Sequence, residues 1–161
     1  MIEDLWPKSI DVRILSPLTI LRSQAAFIEK RTGGLLAGHI STDSSPDKVS
    51  HSFSLIANAP HRVLISVLVA SHSTKEVYPV EVVSRAFEPK PPTTPQQMGE
   101  PFIAKQPDRR TAVTQEAFVA IVKEVLNSEP ILASVNSIIA MSNEADQERS
   151  NSQTVPPSVQ G

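Results

Sequence analysis

The chain has no cysteine, few glycines, few aromatics, no excess of positive charge and no long apolar run. With no cysteine among 161 residues, neither a disulfide framework nor a thiolate metal site can form, and the composition fits a reducing compartment. Aromatic residues make up only 4%, so the core must be built from Ile, Val, Leu and Ala. A net charge of -2 gives no electrostatic footprint for nucleic acid, which requires clustered Lys and Arg against phosphate. The nearest approach to such a cluster, Lys105, Arg109 and Arg110, is diluted by Asp108. No apolar stretch reaches the roughly 18 to 20 residues needed to cross a bilayer. The opening MIEDLWPKS is acidic and interrupted by Pro7, unlike a secretory signal. These absences predict a cytoplasmic protein with no nucleic-acid and no membrane partner.

Reactive motifs are missing too. No G-x-S-x-G places a serine on a nucleophile elbow. Gly33-Gly34 follows a helical segment instead of opening one, which is the wrong dipole end for a phosphate. Glu29 with Lys30 and Arg31, and Glu116 with Lys123 and Glu124, read as solvated helix faces. Asp4, Asp11 and Glu81 are isolated carboxylates without the pairing that general acid-base chemistry needs. No catalytic residue, cofactor or metal is predicted.

What the chain does have is hydrophobic periodicity. Ser16-Pro17 is an N-cap followed by proline at the first helical position. Leu18, Leu21, Ala25 and Ile28 recur at helical spacing, with Ile20 and Phe27 widening the stripe. Lys30 and Arg31 suit the last turn, and Gly33-Gly34 ends the helix. Ile10, Val12 and Ile14 alternate just before it, as in a short strand. The period then becomes twofold. Leu35 to Thr42 reads as a strand weakened by Gly38, Asp43 to Lys48 as a loop, and Val49 to Ala57 as a half-buried antiparallel strand. Asn58-Ala59-Pro60 is a turn. Arg62 to Ala70, apolar on both faces, is the central strand, although a buried helix has the same pattern. Val77 to Ser84 completes the set, and Pro79, unable to donate to a ladder, suits an edge.

Residues 85–113 read as a proline-rich linker, with Phe102 and Ile103 its only apolar pair. Thr114 caps a helix striped by Phe118, Ile121, Val122, Val125 and Leu126. Ser128 caps a second, striped by Ile131, Leu132, Val135, Ile138, Ile139 and Ser142, with Pro130 in its first turn. Residues 143–161 hold too little apolar content to offset their ordering entropy and are expected to be disordered. The predicted fold class is α+β: an N-terminal helix on an antiparallel meander of about four strands, then a C-terminal helical pair. Residues 1–84 carry helix and sheet, and 114–142 pack back to cover the second sheet face.

Four histidines are the only candidates for metal or acid-base chemistry. His39 and His51 flank one loop, and a hairpin could bring both imidazoles to one face. The plainer reading is two ordinary strand residues, since no acidic ligand stands at a supporting spacing. His61 and His72 bracket the central strand and mark where it surfaces.

The segments SPLTILRSQAAFIEKRTGGLLAG, VYPVEV and TQEAFVAIVKEVLNS together resemble small bacterial proteins without an assigned function. That resemblance implies the order of elements and no active residue. The expected function is a non-enzymatic interaction or accessory module working through protein-protein contacts, with a protein partner or a second copy of itself. The contact is expected at a sheet edge or at Phe118, Val122, Val125, Ile131, Val135 and Ile138 of the terminal helices. The alternative is a small ligand-binding protein or enzyme using His39 and His51.

Overall fold

A computed structural model describes residues 13–57, 62–87 and 108–152. Helix α1, Pro17–Arg31, begins at Ser16, whose hydroxyl accepts from the Thr19 backbone N–H at 3.2 Å. It ends in a Schellman motif: Gly33 and Gly34 take φ of 59° and 84°, and the Gly34 N–H reaches back to the Glu29 carbonyl at 2.9 Å. A side chain at either position would meet the left-handed penalty, so the glycine pair sets the helix length.

Five antiparallel strands follow in chain order: β1 Leu36–Ser44, β2 Lys48–Ala57, β3 Val63–Ser73, β4 Val80–Val83 and β5 Arg109–Ala112. The fold is α+β with an antiparallel meander, and the strand beginning near residue 62 is its centre, not a helix. The sheet has five strands where the sequence suggested about four. β5 was hidden because RRTA is too short and too polar to show alternation; backbone pairing to β4 defines it, and Ala112 is its one buried residue. β4 therefore lies inside the sheet, not at its edge. Pro79 precedes the first paired residue, Val80, so no ladder hydrogen bond is asked of it.

Registers sort the side chains onto two faces. Leu36, Phe53, Leu55, Ala57, Ile65, Leu68, Ala70, Val80, Val82 and Ala112 share the core face. A bulge between Phe53 and Ser54 on the β2–β3 ladder leaves Val67 as an extra residue, buried with its neighbour Leu68. Its carbonyl accepts from the Ser84 hydroxyl at 2.6 Å. The other face carries Ser50, Ser52, Ser54, Ser66 and Ser71, and an ion cluster in which Glu81 meets Arg109 at 2.9 Å and Lys48 at 3.5 Å.

Helix α2, Gln115–Leu126, is capped by Thr114, which accepts from the Ala117 N–H at 3.2 Å. It buries Phe118, Val122 and Val125, and packs on β3 and β5. Helix α3, Glu129–Ser152, buries Ile131, Ile138 and Ser142 and lies against α2 and the short 3₁₀ helix Arg85–Phe87. Both C-terminal helices thus join α1 on the core face; they do not cover the second face as expected. The reason lies in the register: the core face is predominantly apolar, whereas five serines and the Glu81 ion cluster dilute the apolar residues of the other.

Three local expectations are also revised. The Ser128 hydroxyl donates to the Val125 carbonyl at 2.6 Å, closing α2 instead of capping α3. α3 continues through residues 143–152, inside the stretch expected to be disordered. A helix already nucleated propagates at little cost, and its Ser150 and Ser152 hydroxyls bond carbonyls one turn back. Within the expected linker 85–113, the 3₁₀ turn and β5 are regular structure; 88–107, with Phe102 and Ile103, lies outside the described residues. So do the turn at 58–60, His61, Asp4, Asp11, Ile10 and Val12, and residues 153–161. Ile14 lies in irregular chain.

That lead-in chain is anchored twice. The Leu15 N–H donates to Gln115 Oε1 at 2.7 Å, and the Tyr78 hydroxyl donates to the Leu15 carbonyl at 3.0 Å. The first bond ties the start of α1 to the start of α2, the second to the segment that leads into β4. Where α1 crosses β1, a Cβ on Gly38 would lie 2.4 Å from Ala25 Cβ and 2.5 Å from Ala25 Cα. The missing side chain lets α1 lie directly on β1.

Candidate functional site

With α1 held on β1 and β2, and α2 on the far strands, the helices leave a groove between them. Its floor is Phe53 and Leu55 of β2; its walls are Ile20, Phe27 and Ile28 of α1, Val119 and Leu126 of α2, and Leu132 and Val135 of α3. The cavity volume is about 420 Å³, within the usual range for ligand clefts. Three large apolar side chains on these walls stay exposed, Phe27 at 54%, Val119 at 44% and Leu132 at 43%. Scattered exposed hydrophobics are ordinary, but three converging on one concavity form a patch.

Arg31 and Lys123 stand on the rim with Gln24 and Asn127, and no carboxylate lines the groove. Both cations lie in the last turns of their helices, where carbonyl ends alone would repel an anion. They reverse that sign. Neither forms an ion pair among the described residues, whereas Arg110 pairs with Glu124 and lies 4.2 Å over the Phe87 ring.

The expected contact stripe divides in two. Val122, Ile131 and Val135 line the groove. Phe118 and Val125 are fully buried and Ile138 nearly so; Val122 and Ile131, at 3% exposure, belong to the same core and reach the groove only at its base. Phe27 and Leu132 were visible in the sequence as stripe residues, but nothing marked them, or Val119, as the exposed members. That depends on which side of each helix its neighbours leave open.

The histidines pair differently from the expectation. β1 and β2 align Thr42 with His51 and His39 with Ser54, an odd offset that puts His39 and His51 on opposite faces. His39 is exposed on the serine face; His51, 3% exposed, faces the core side. Its partner is His72 of β3, with the two Nε2 atoms 3.3 Å apart and ring centroids 5.4 Å apart. Thr42 Oγ1 lies 2.9 Å from His51 Nδ1, and His72 Nδ1 lies 2.8 Å from the Ser73 carbonyl and 3.3 Å from that of Glu76. A carbonyl only accepts, so His72 carries its proton on Nδ1 and presents a lone pair at Nε2. His51 then donates from Nε2 and accepts from the Thr42 hydroxyl. Burial first, then His72 and Arg22 of α1, holds the His51 pKa below its ordinary value.

Among the described residues no group of three or more His, Cys, Asp or Glu converges, and no helix is long and apolar enough to cross a membrane. No protein family, curated protein or solved structure matches the chain.

Proposed function

We propose that this chain is a non-enzymatic binding module whose three-helix groove takes an apolar, acidic-flanked segment of a partner protein. The observation that carries this reading is the convergence of exposed Phe27, Val119 and Leu132 on a concavity rimmed by Arg31 and Lys123 without a lining carboxylate. Burying those side chains against an amphipathic segment removes apolar area from water, and the two cations select acidic flanks. Phe27, Val119 and Leu132 leave the groove open to solvent, as a surface that receives a partner's side chains requires. A cytoplasmic place of action belongs to the same reading, supported by the absence of cysteine.

The test is fluorescence anisotropy with a labelled amphipathic peptide carrying leucines at helical spacing and glutamates at both ends. Saturable binding is expected. It should weaken about tenfold or more in Leu132→Asp, and also when the flanking glutamates become lysines. Equal binding by wild type and Leu132→Asp overturns the proposal. So does sedimentation showing a dimer that Leu132→Asp dissolves, because the occupant is then a second copy. Binding of decanoate in the absence of peptide binding also overturns it, because the groove is then a small-ligand site.

A further inference from the structure

We infer that His51 and His72 form a two-imidazole site for a borderline divalent metal ion of the zinc, copper or nickel type. Their Nε2 separation is 3.3 Å, a distance at which the two rings share one hydrogen bond. It agrees with the spacing of two ligands on one tetrahedral ion. For an ion at about 2.0–2.1 Å from each nitrogen, that separation gives a ligand–metal–ligand angle of about 104–111°, bracketing the tetrahedral value.

The outer shell is already built. Each Nδ1 has an oxygen partner, Thr42 Oγ1 at 2.9 Å for His51 and the Ser73 carbonyl at 2.8 Å for His72. Such partners fix tautomer and ring orientation in metal-binding imidazoles. For His72 the fixed Nδ1 proton leaves Nε2 available for an ion. For His51 a tautomer exchange suffices: Nδ1–H donates to the Thr42 oxygen and Nε2 is freed, with no heavy atom displaced. All-nitrogen donors disfavour magnesium and calcium, which require oxygen ligands. No third His, Cys, Asp or Glu joins the pair among the described residues, so the remaining positions belong to water or to a group brought by a ligand. Arg22 is the charged neighbour that opposes a cation here.

The site is tested by titrating zinc, and cobalt as a spectroscopic substitute, into the full chain. One ion per chain is expected, with cobalt giving the visible absorption of a low-coordinate nitrogen site. His72→Gln, at a half-exposed position, should abolish saturation over the range that fills wild type. Thr42→Val should weaken binding about 10- to 100-fold. His39→Gln, on the opposite sheet face, should change nothing. Affinity should also fall on acidification, because protons compete with the ion for the ring nitrogens. Absent saturable binding overturns the assignment. So does unchanged binding in His72→Gln whose circular dichroism matches wild type, or equal loss in His39→Gln.

Discussion

Gly38→Ala offers the sharpest test of how α1 is seated. The new Cβ would approach Ala25 to 2.4 Å at Cβ and 2.5 Å at Cα, against the 3.4–4 Å of ordinary van der Waals packing. The nearest obstacles are the Ala25 methyl and, 0.1 Å farther, the α1 main chain itself, so no rotamer relieves the overlap, and α1 must lift from β1 by about 1 Å. Beneath it lie Leu21 and Leu36, both fully buried, and Ile20 at 7% exposure. A gap of about 0.5–1 Å forfeits a quarter to a half of each dispersion interaction across it. Overpacking of this kind costs about 1–3 kcal/mol, and a backbone obstacle puts Gly38→Ala near about 3 kcal/mol. In a chain of this size that corresponds to a fall in Tm of about 6–12 °C by calorimetry. Gly33→Ala is the control: its φ is 59° and nothing lies within 4 Å of a Cβ there, so only the left-handed penalty of about 1–2 kcal/mol applies. An Ala25→Gly background removes the methyl nearest to residue 38 but leaves the main chain of α1 in its path. It should rescue Gly38→Ala only in part and Gly33→Ala not at all. A Gly38→Ala protein within about 0.5 kcal/mol of wild type would refute the close seating of helix on strand. Because α1 carries Phe27 and Ile28, the same substitution should also change peptide affinity in the groove, although residue 38 does not line it.

Two further outcomes separate core from contact surface and fix the role of His51. Phe118→Ala should lose about 3–5 kcal/mol in chemical denaturation, since its ring is fully buried and meets Tyr78 edge-on at 6.5 Å; Phe27→Ala should lose less than about 1 kcal/mol yet weaken the peptide complex. His51 titrates lower in the folded protein than in the unfolded chain, whose value is 6.5, so below that pH the unfolded chain binds more protons. Its contribution to stability is complete above 6.5 and declines as pH falls toward the folded pKa, by up to about 1.4 kcal/mol per pH unit. Denaturant melts from about pH 5.5 to 7.5 should show that slope, and His51→Asn should flatten it; an unchanged slope in the variant assigns the titration elsewhere.

The elements that were legible in the sequence carry their own punctuation. Ser16-Pro17 and Gly33-Gly34 bracket α1, Thr114 opens α2, and the alternation of Val49 to Ala57 gives β2 its buried face. Those signals act within a few residues of chain. β5 was not legible because RRTA is a strand by virtue of its partner, and the residues facing Val80 and Val82 need no hydrophobic pattern of their own. The pairing of His51 with His72 was hidden for a related reason. It depends on the β2–β3 register, and the β1–β2 turn fixes an offset that sends His39 to the other face. The groove was the least visible part. Its walls come from separate segments, and the sequence marks each stripe as apolar without saying which members the neighbouring helix will leave uncovered.

The order of the strands has a consequence for how binding competence arises during synthesis. β1, β2 and β3 each pair with the next strand along the chain, through turns short enough to close in microseconds once both partners have left the ribosome. One wall of the groove, α1, is then already in place. The opposite wall belongs to α2 and α3, which follow the closure from Val83 to Arg109. Until α2 and the first turns of α3 have formed, a growing chain has the Phe53 and Leu55 floor with one wall missing, so the groove closes only after the sheet beneath it is complete.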